Sequence, residues 1–376
     1  MTDLQDTPTA ASGTFGKQPA TPGDEPERGG DHRRAEVPVG VIGLGRIGKL
    51  HAHNLAQSVA HARLAVVADA RPEVARAAGE QYGVPWSASP DGVLGDNKVR
   101  AVVIASPTPT HAVLIQRAAS VGKHVLCEKP LAPDAERTAA AVAAAESAEI
   151  VLQVGFQIRY DPHFASVRSV AQCGGLGNIV LCRAALRDMQ PPECDYLRDC
   201  GGLLVDGAIH LFDLARWMVG EIEQVTAVGA PQLPIGGSTA DIDTCAVILR
   251  FVNGALGLVE NCRCCGYGFE CSAEIVGSDR TARIGAQAAS HVEWLEGGRA
   301  SVDRITTFTD WFAAAYLAEV QDFVAAILLQ RPPLATGQDA VHAATIADAA
   351  LRSLLTSKTV HVPGVSVPAH PRSIRR

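Results

Sequence analysis

What the sequence lacks excludes several classes of protein. Basic residues are not in excess, because 33 Lys and Arg are outnumbered by 40 Asp and Glu, giving a net charge of −7. Binding to nucleic acid or to an anionic membrane through a general electrostatic field needs the opposite sign, so we expect neither as a partner. No apolar run reaches the length that spans a bilayer, and the first residues lack the apolar stretch of a signal peptide. We therefore expect a cytoplasmic protein.

Cysteines and metal-ligand patterns are also sparse. Ten cysteines in 376 residues do not form the dense pattern of a disulfide scaffold, so we expect reduced thiols. The spacing of Cys262, Cys264, Cys265 and Cys271 does not form the two C-x-x-C pairs of a zinc site. Strand alternation would also point Cys264 and Cys265 to opposite faces. We therefore predict no metal. The hydrophobic fraction of 47% and the length suit a globular enzyme with about two domains.

Composition and pattern divide the chain into four segments. Residues 1–36 are rich in Thr, Pro, Gly, Asp and Arg without apolar periodicity, which predicts a disordered tail. Alternating strand and helix patterns over residues 37–156 predict a domain with a parallel sheet, and successive strands predict a second domain over 157–365. Residues 366–376 form a predicted C-terminal tail.

A glycine-rich turn follows the first apolar strand. Gly43, Gly45 and Gly48 form G-x-G-x-x-G between the strand VPVGVI and a helical pattern, and the next strand ends at Asp69, about 20 residues further on. This context predicts a pyrophosphate bound at a helix N-terminus. Asp69 would accept hydrogen bonds from the ribose hydroxyls and repel a 2′-phosphate, which favours NAD. Arg71 leaves NADP possible, although an exposed residue at a helix start is the plainer interpretation.

The alternation of strands and helices predicts a doubly wound parallel sheet, that is, a Rossmann domain. Ligands bind such sheets beyond the carboxyl ends of the strands, where Ser106–His111 and Glu128–Pro130 lie. The Lys129–Pro130 bond is a candidate for a cis peptide. The predicted cofactor-binding residues are Gly43, Gly45, Arg46, Ile47, Gly48, Asp69, Arg71, Ser106, Thr108, His111, Glu128 and Lys129.

The second domain is predicted to contain a largely antiparallel sheet. A hairpin is expected at Asn253-Gly254, a favoured two-residue turn. Helices are predicted at about Ala313–Leu329 and Ala340–Ser357. The predicted strands are Ile179–Arg187, Gln224–Val228, Thr244–Phe251, Ala255–Asn261 and Phe269–Val276.

The stretch GGLLVDGAIHLFD (201–213) carries ionisable groups in apolar surroundings. Asp206, His210 and Asp213 are spaced to share one face of one helix, and the surrounding apolar residues predict that this helix is buried. Burying an acid and an imidazole is costly unless the groups are paired or used. The stretch alone leaves two interpretations open, a general acid/base pair or a hydrogen-bonded pair in the core.

Lys129 is the second candidate for a catalytic residue, besides the 201–213 stretch. It lies at a strand end, where an ammonium could hold a substrate hydroxyl beside a nicotinamide, although a surface lysine is the alternative. Glu128-Lys129-Pro130 together with GGLLVDGAIHLFD resembles the glucose–fructose oxidoreductase/inositol dehydrogenase/MocA family, and is most similar to its inositol 2-dehydrogenases. The resemblance covers roughly residues 37–362 and includes the runs SPTPTH, GFQIRYD, LRDMQPP, GYGFE and DWFAAAYLAEVQDF.

The resemblance implies an NAD-dependent enzyme that oxidises a secondary alcohol of a cyclic polyol or sugar, with myo-inositol as the leading substrate. It implies a dinucleotide-binding Rossmann domain over residues 37–156 and a substrate-binding and oligomerisation domain over 157–365, which is an α/β domain with an open, mostly antiparallel sheet. It also implies a homo-oligomer, either a dimer or a tetramer. Lys129 would hold the reacting hydroxyl, His210 would be the general base, and Asp206 would hold substrate and couple the two. The remaining implied substrate-binding residues are Gln157, Arg159, Asp188 and Tyr267.

Two departures leave the substrate open. Ile158 replaces one arginine of a pair that the family's inositol dehydrogenases usually have, and Phe269 replaces a tyrosine. Losing a cation and a hydroxyl can change which polyol is accepted, so another inositol isomer, an inosose or an aldose is the alternative. A non-catalytic regulator that binds NAD and sugar is the alternative of another class. The joint presence of Lys129, Asp206 and His210 argues against it.

Overall fold

The computed structural model describes residues 36–232, 241–285 and 288–365, so apart from residue 36 the predicted tails lie outside the described residues. The first sheet contains six parallel strands in the order β3-β2-β1-β4-β5-β6. Apolar, β-branched sequences form them because helices cover both faces. The strands are β1 (Val37–Ile42), β2 (Ala62–Ala68), β3 (Trp86–Ser87), β4 (Ala101–Ile104), β5 (His124–Cys127) and β6 (Leu152–Val154).

Local signals set the ends of the helices in this domain. Pro72 begins one helix and Gly83, at φ 65°, ends it. Asp134 caps another by accepting a hydrogen bond from the Arg137 amide at 2.8 Å. The helices are α1 (Arg46–Gln57), α2 (Pro72–Tyr82), α3 (Asp91–Leu94), α4 (His111–Ser120) and α5 (Ala135–Ser147).

The second sheet contains seven strands in the order β12-β11-β7-β10-β9-β8-β15. β7 and β10 pair in parallel and the other neighbours are antiparallel, which confirms the predicted fold class. A separate hairpin, β13–β14, was not predicted. The strands are β7 (Ile179–Arg187), β8 (Ile222–Ala230), β9 (Thr244–Phe251), β10 (Leu256–Cys262), β11 (Glu270–Gly277), β12 (Thr281–Ile284), β13 (Ala288–Glu296), β14 (Arg299–Arg304) and β15 (Val360–His361).

The predicted hairpin between β9 and β10 exists, but its turn is longer than expected. The Phe251 amide donates to the Ala255 carbonyl at 3.0 Å, which leaves residues 252–254 in the loop. Gly254 has a φ of 91°, so the third loop residue takes the conformation that glycine favours. The prediction of a two-residue turn was therefore wrong by one residue.

The predicted central helix over the 201–213 motif is broken in two. Helix α8 ends at Asp206 and α9 begins at Ile209, and a Cβ at Gly207 would collide with the Asn261 side chain of β10. The prediction that Asp206, His210 and Asp213 share one continuous helix was therefore wrong. The helices of this domain are α6 (Pro162–Gln172), α7 (Cys194–Asp199), α8 (Leu203–Asp206), α9 (Ile209–Val219), α10 (Phe308–Trp311), α11 (Ala313–Leu329) and α12 (Gly337–Thr356).

Helix α11 returns to the first sheet. Its residues Val320, Phe323 and Val324 are buried in one apolar cluster with Val39 of β1 and Leu126 of β5. The described C-terminal helices therefore support the dinucleotide-binding sheet as well as the second one. No described helix is both long and apolar enough to cross a membrane.

Candidate active site

The glycine-rich turn has the geometry of a pyrophosphate cradle. Gly43 has a φ of 89°, and a Cβ at Gly48 would collide with the Gly43 carbonyl, so helix α1 starts directly against the strand exit. Gly45 has open space around it and is exposed. The free amides at the start of α1 favour anions, and the exposed glycine lets a phosphate approach the backbone. The arrangement fits a dinucleotide.

Asp69 lies at the carboxyl end of β2 beside this turn. Its carboxylate accepts hydrogen bonds from the Leu44 amide at 2.8 Å and from the Arg71 amide and Nε at 2.9 and 3.0 Å. Burial opposes ionisation, but the bonds from Arg71 and Leu44 prevail and lower the pKa of Asp69 below its ordinary value. The carboxylate is therefore charged and held at the position where a ribose acceptor belongs.

Several predicted cofactor-binding residues have their polar atoms bonded within the protein. The His111 ring spans the Pro130 carbonyl at 2.8 Å and the Ser106 carbonyl at 2.6 Å, so it braces two strand-end segments against each other. Glu128 is paired with His51 at 2.9 Å. Thr108 is buried in the same region. These contacts give the strand ends their shape, and the sequence pattern did not reveal them.

Two further predicted residues follow Gly45 at the start of α1. Arg46 is exposed, and its guanidinium lies 5.3 Å from the centroid of the Phe308 ring. Ile47 packs against the core. The first residue of the helix therefore stacks on the second domain, while the next one anchors the helix.

Lys129 and Asp206 form a direct contact that joins the two domains. The Lys129 ammonium donates to the Asp206 carboxylate at 2.9 Å and to its backbone carbonyl at 3.0 Å. Both side chains are mostly buried, and the Lys129–Pro130 peptide is cis. Although burial opposes both charges, the Asp206 carboxylate raises the pKa of Lys129, and Lys129 lowers that of Asp206. Sequence spacing could not show this pairing across 77 residues.

Tyr196 and Arg263 complete the cluster and were not predicted. The Tyr196 hydroxyl donates to Asp206 Oδ1 at 2.6 Å. The Arg263 guanidinium is buried 4.0 Å from Asp206 Oδ2 and 3.3 Å from Asp241, with its Nε and Nη1 unbonded among the described residues. The available sequence signal for Arg263 was its position just after a predicted strand. Tyr196 had no such signal, because it lies in the short helix α7, which the sequence analysis did not predict.

His210 lies in the first turn of α9, one residue beyond the helix start. It is 7% exposed, its ring is 6.1 Å from that of Phe156, and its Nδ1 has no hydrogen-bond partner among the described residues. Burial and the Lys129 cation lower the pKa of His210 well below its usual value, against the opposing effect of Asp206. The imidazole is therefore neutral at neutral pH and has unused hydrogen-bonding capacity.

Asp188 follows the end of β7 and is held by two backbone bonds, one to Cys262 and one from Cys265. Burial, followed by the nearby Asp206 charge, raises the pKa of Asp188 to about 6. Lys129, Arg263 and Arg46 act in the opposite direction. Their influence indicates that Asp188 shares one electrostatic environment with the Lys129–Asp206 pair.

The other predicted substrate-binding residues have different surroundings. Gln157 is buried, and its Oε1 lacks a partner among the described residues. Arg159 instead donates twice to Asp213, at 2.6 and 2.9 Å, and its side chain is 4% exposed. Tyr267 is 44% exposed and bonded to Glu270 and Arg187. The structure thus joins Lys129 directly to Asp206, while Arg159 and Tyr267 have protein partners.

A parallel sheet with a dinucleotide cradle, and a lysine–aspartate pair beyond the carboxyl end of β5, define a nicotinamide-dependent oxidoreductase. Comparison with known families gives the same result. Residues 37–156 match the oxidoreductase family domain with an NAD-binding Rossmann fold, and residues 172–362 match that family's C-terminal alpha/beta domain. The chain belongs to this family, GFO/IDH/MocA, and its N-terminal domain is an NAD-binding domain.

Among its relatives, the chain is 35% identical to inositol 2-dehydrogenase of Rhizobium meliloti, over 87% of this chain and 99% of the relative. It is 34% identical to scyllo-inositol 2-dehydrogenase (NAD(+)) of Bacillus subtilis, over 81% and 90%. A crystal structure of scyllo-inositol dehydrogenase from Lactobacillus casei with bound NAD(H) and scyllo-inositol has a TM-score of 0.81 and 28% identity, over 87% and 99%. The chain is similar to each of these along most of its length.

Proposed function

We propose that this protein oxidises a secondary alcohol of a cyclic polyol to a ketone with NAD⁺, and that an inositol is the substrate. The Lys129–Asp206 contact beside a neutral, buried His210 carries the proposal. A cation, a carboxylate and an imidazole meet beyond the carboxyl end of a Rossmann strand, where ligands of this fold bind. The relatives named above act on inositols, which supports this substrate class.

In the proposed mechanism Lys129 binds the reacting hydroxyl. Its ammonium is fixed by Asp206, which also accepts from Tyr196. A fixed cation in a buried site stabilises negative charge that develops on the substrate oxygen, and costs little reorganisation when it does so. Asp206 therefore sets the position of Lys129 and keeps it charged.

His210 takes the hydroxyl proton as general base. A general base must be unprotonated at the working pH, and burial beside Lys129 ensures this for His210. Its unbonded Nδ1 shows that the protein itself does not use all of its hydrogen-bonding capacity. The proton thus leaves to the imidazole while Lys129 compensates the charge on the oxygen.

The cofactor would be held by the cradle at Gly43, Gly45 and Gly48 and by Asp69. NAD⁺, when bound, supplies the hydride acceptor. Asp69 is charged and would repel a 2′-phosphate, so Asp69→Ala is expected to shift preference toward NADP by about tenfold or more, measured as the ratio of kcat/KM values. Asp91→Ala, at an exposed acid of the same domain, is the control. An unchanged ratio would show that Asp69 does not read the ribose.

The two departures from the family pattern are apolar and buried. Ile158 is 2% exposed in the core, and the Phe269 ring packs edge-on against Trp311 at 5.5 Å and Phe312 at 6.1 Å. Neither offers a polyol hydroxyl a hydrogen bond. We therefore propose that recognition relies on Lys129, Asp206, Asp188, Gln157 and His210, and that the accepted isomer differs from the one an arginine pair would select.

The test is NADH formation with a panel of inositol isomers, inososes, glucose and xylose. We expect turnover with at least one inositol and little with the aldoses. Turnover with an aldose alone would show that the substrate is an aldose and not an inositol, and would leave the proposed mechanism unchanged. No turnover while NAD⁺ still binds would contradict the proposal and favour the NAD- and sugar-binding regulator.

We further propose a homo-oligomer, a dimer or a tetramer, in a cytoplasmic location. On the seven-stranded sheet, the apolar side chains of Val228, Ile248 and Leu256 are 49–64% exposed and are left uncovered by the described part of the chain. The hairpin β13–β14 is exposed throughout and presents Trp294 and Leu295. Light scattering after size-exclusion chromatography tests this, and a monomer at micromolar concentration would contradict it.

A further inference from the structure

Three ionisable side chains meet behind the Lys129 strand end, outside the proposed catalytic cluster. His51 lies on α1, Glu128 follows β5 and Glu319 lies on α11. One nitrogen or oxygen from each side chain lies within 4.8 Å of the other two. We call these three residues the His51 cluster. It links the helix of the dinucleotide cradle, the strand end that carries Lys129 and the helix that packs beneath both.

Glu319 stands out because no described residue donates a hydrogen bond to its carboxylate. It is 0% exposed, and neither oxygen has a hydrogen-bond partner among the described residues. Glu128 has one, since His51 Nε2 lies 2.9 Å from its Oε1. An ionised carboxylate without water or donors is costly, and the negative charges of Glu128 and Asp322 add to the effect of burial in raising the pKa of Glu319.

The contacts of the two carboxyl groups indicate which of them carries a proton. Two carboxyl groups this close, of which one is fully buried, do not both ionise readily. His51 Nε2 lies within hydrogen-bond distance of Glu128, whereas Glu319 has no such partner among the described residues, so the proton belongs on Glu319. A carboxylic acid is also a donor, and the Glu128 carboxylate is the nearby acceptor. Helix α11 brings two further titratable groups near the cluster. Tyr316 packs edge-on against His51 with ring centroids 5.8 Å apart, and Asp322 acts on Glu319 through its charge.

We propose that Glu319 is a neutral carboxylic acid that keeps its proton, donates a hydrogen bond through it to Glu128 and, together with His51, acts as a positioning residue for Lys129. Glu128 is then held from two sides by donors on α1 and α11. A Cβ at Gly155 would lie 2.8 Å from Glu128 Oε2, so the backbone after β6 confines the same carboxylate. The next residue, Lys129, is thereby directed toward Asp206. This positioning role rests on the proposed function of Lys129.

The protonation state is tested by infrared spectroscopy of the full-length protein, without reference to activity. We expect a carbonyl band of a protonated carboxyl group at neutral pH that is present in the wild type and lost in Glu319→Gln. A spectrum without that difference would show that Glu319 is ionised and would overturn the proposal. A divalent metal that copurifies at one per chain and is lost in Glu319→Gln would also overturn it, because the cation would replace the proton.

The positioning role is tested by comparing three variants. Glu319→Gln keeps a donor without a charge and should retain kcat within about twofold, whereas Glu319→Leu removes the donor and should lower kcat about tenfold with the Kd for NAD⁺ unchanged. Val320→Ala, at a buried apolar residue of the same helix, should lose stability and keep kcat. Full kcat in Glu319→Leu would overturn the role.

Failure of the proposed function is distinguishable from failure of this inference. If the wild type oxidises no polyol, the infrared band still decides whether Glu319 carries a proton. The position of Lys129 can then be followed through the Kd for NADH. This Kd should rise at least about threefold in Glu319→Leu and stay constant in Glu319→Gln. Equal affinities in the three proteins would contradict positioning.

Discussion

Two clusters of ionisable side chains differ in whether all of their buried polar atoms have hydrogen-bond partners. The active-site cluster contains Lys129, Asp206, Tyr196, His210 and Arg263, and it leaves His210 Nδ1 and two Arg263 nitrogens without partners among the described residues. The Arg159 cluster contains Arg159, Asp213, Arg216 and Asp339, and none of its described buried atoms lacks a partner.

This difference separates a structural ion network from a site for a ligand. A buried charge that is fully hydrogen-bonded stabilises the fold without needing anything else. A buried group with unused donors or acceptors costs free energy until a ligand satisfies it. Asp213 belongs to the same sequence motif as Asp206 and His210, yet it is part of the fully hydrogen-bonded structural network. If this is right, substitutions in the active-site cluster should change the rate, and substitutions in the Arg159 cluster should change the stability.

The largest expected effect is on the active-site cluster. Lys129→Met should lower kcat by about 10³-fold, because it removes the cation that stabilises charge on the substrate oxygen. The Kd for NAD⁺, measured by fluorescence titration, should change much less. Lys98→Met, at an exposed lysine of the same domain, is the control. A loss in Lys129→Met no greater than in Lys98→Met would remove the active-site cluster from catalysis.

The Arg159 cluster should respond in stability rather than in rate. Arg159→Met leaves the Asp213 and Asp339 carboxylates without their shared partner, and should lower the free energy of unfolding by about 3–5 kcal/mol. Urea denaturation measures this, and kcat of the folded protein should stay within about threefold of wild type. Arg137→Met breaks an exposed pair with Asp134 and should cost less than about 1 kcal/mol. A selective loss of kcat would place Arg159 in the substrate site after all.

The smallest expected effect is the contribution of Asp188, a neighbour of the active-site cluster, to the pH dependence of stability. Its pKa is raised to about 6 by burial and by Asp206, so between about pH 4 and 6 the folded state binds more protons than the unfolded state. Stability therefore falls as pH rises through this window. Asp188→Asn removes the cost and should raise the free energy of unfolding by about 1–2 kcal/mol above pH 6, with no difference below about pH 4. Denaturation curves at the two pH values that show equal gains would contradict the raised pKa.

The fold and half of the site were accessible from the sequence, for identifiable reasons. The bounds of β7, β9 and α11 agree with their predictions, because alternation and helical periodicity act within each element. Lys129 was placed at a strand end by local pattern. The break at Gly207 was not accessible, since it depends on a close approach of Asn261 from a distant strand.

Contacts between distant elements account for the remaining differences. Arg159 is a predicted substrate ligand whose guanidinium instead donates to Asp213 and Asp339, 54 and 180 residues away in the sequence. His111 and Glu128 lie at strand ends as predicted, yet their polar atoms bind Pro130, Ser106 and His51. Sequence periodicity indicates which residues reach a site, but hydrogen-bond saturation, visible only in three dimensions, indicates which of them remain available to a ligand.

The most direct measurement is the single-turnover rate of hydride transfer in His210→Ala, with NAD⁺ and the best inositol from the panel, alongside the Kd for NAD⁺. His210 is neutral and has an unbonded Nδ1, so removing it should lower the rate by about 10²–10⁴-fold while the Kd for NAD⁺ changes less than about threefold. Equal losses of rate, NAD⁺ affinity and stability would show that His210 is a structural residue. The general-base assignment would then be contradicted.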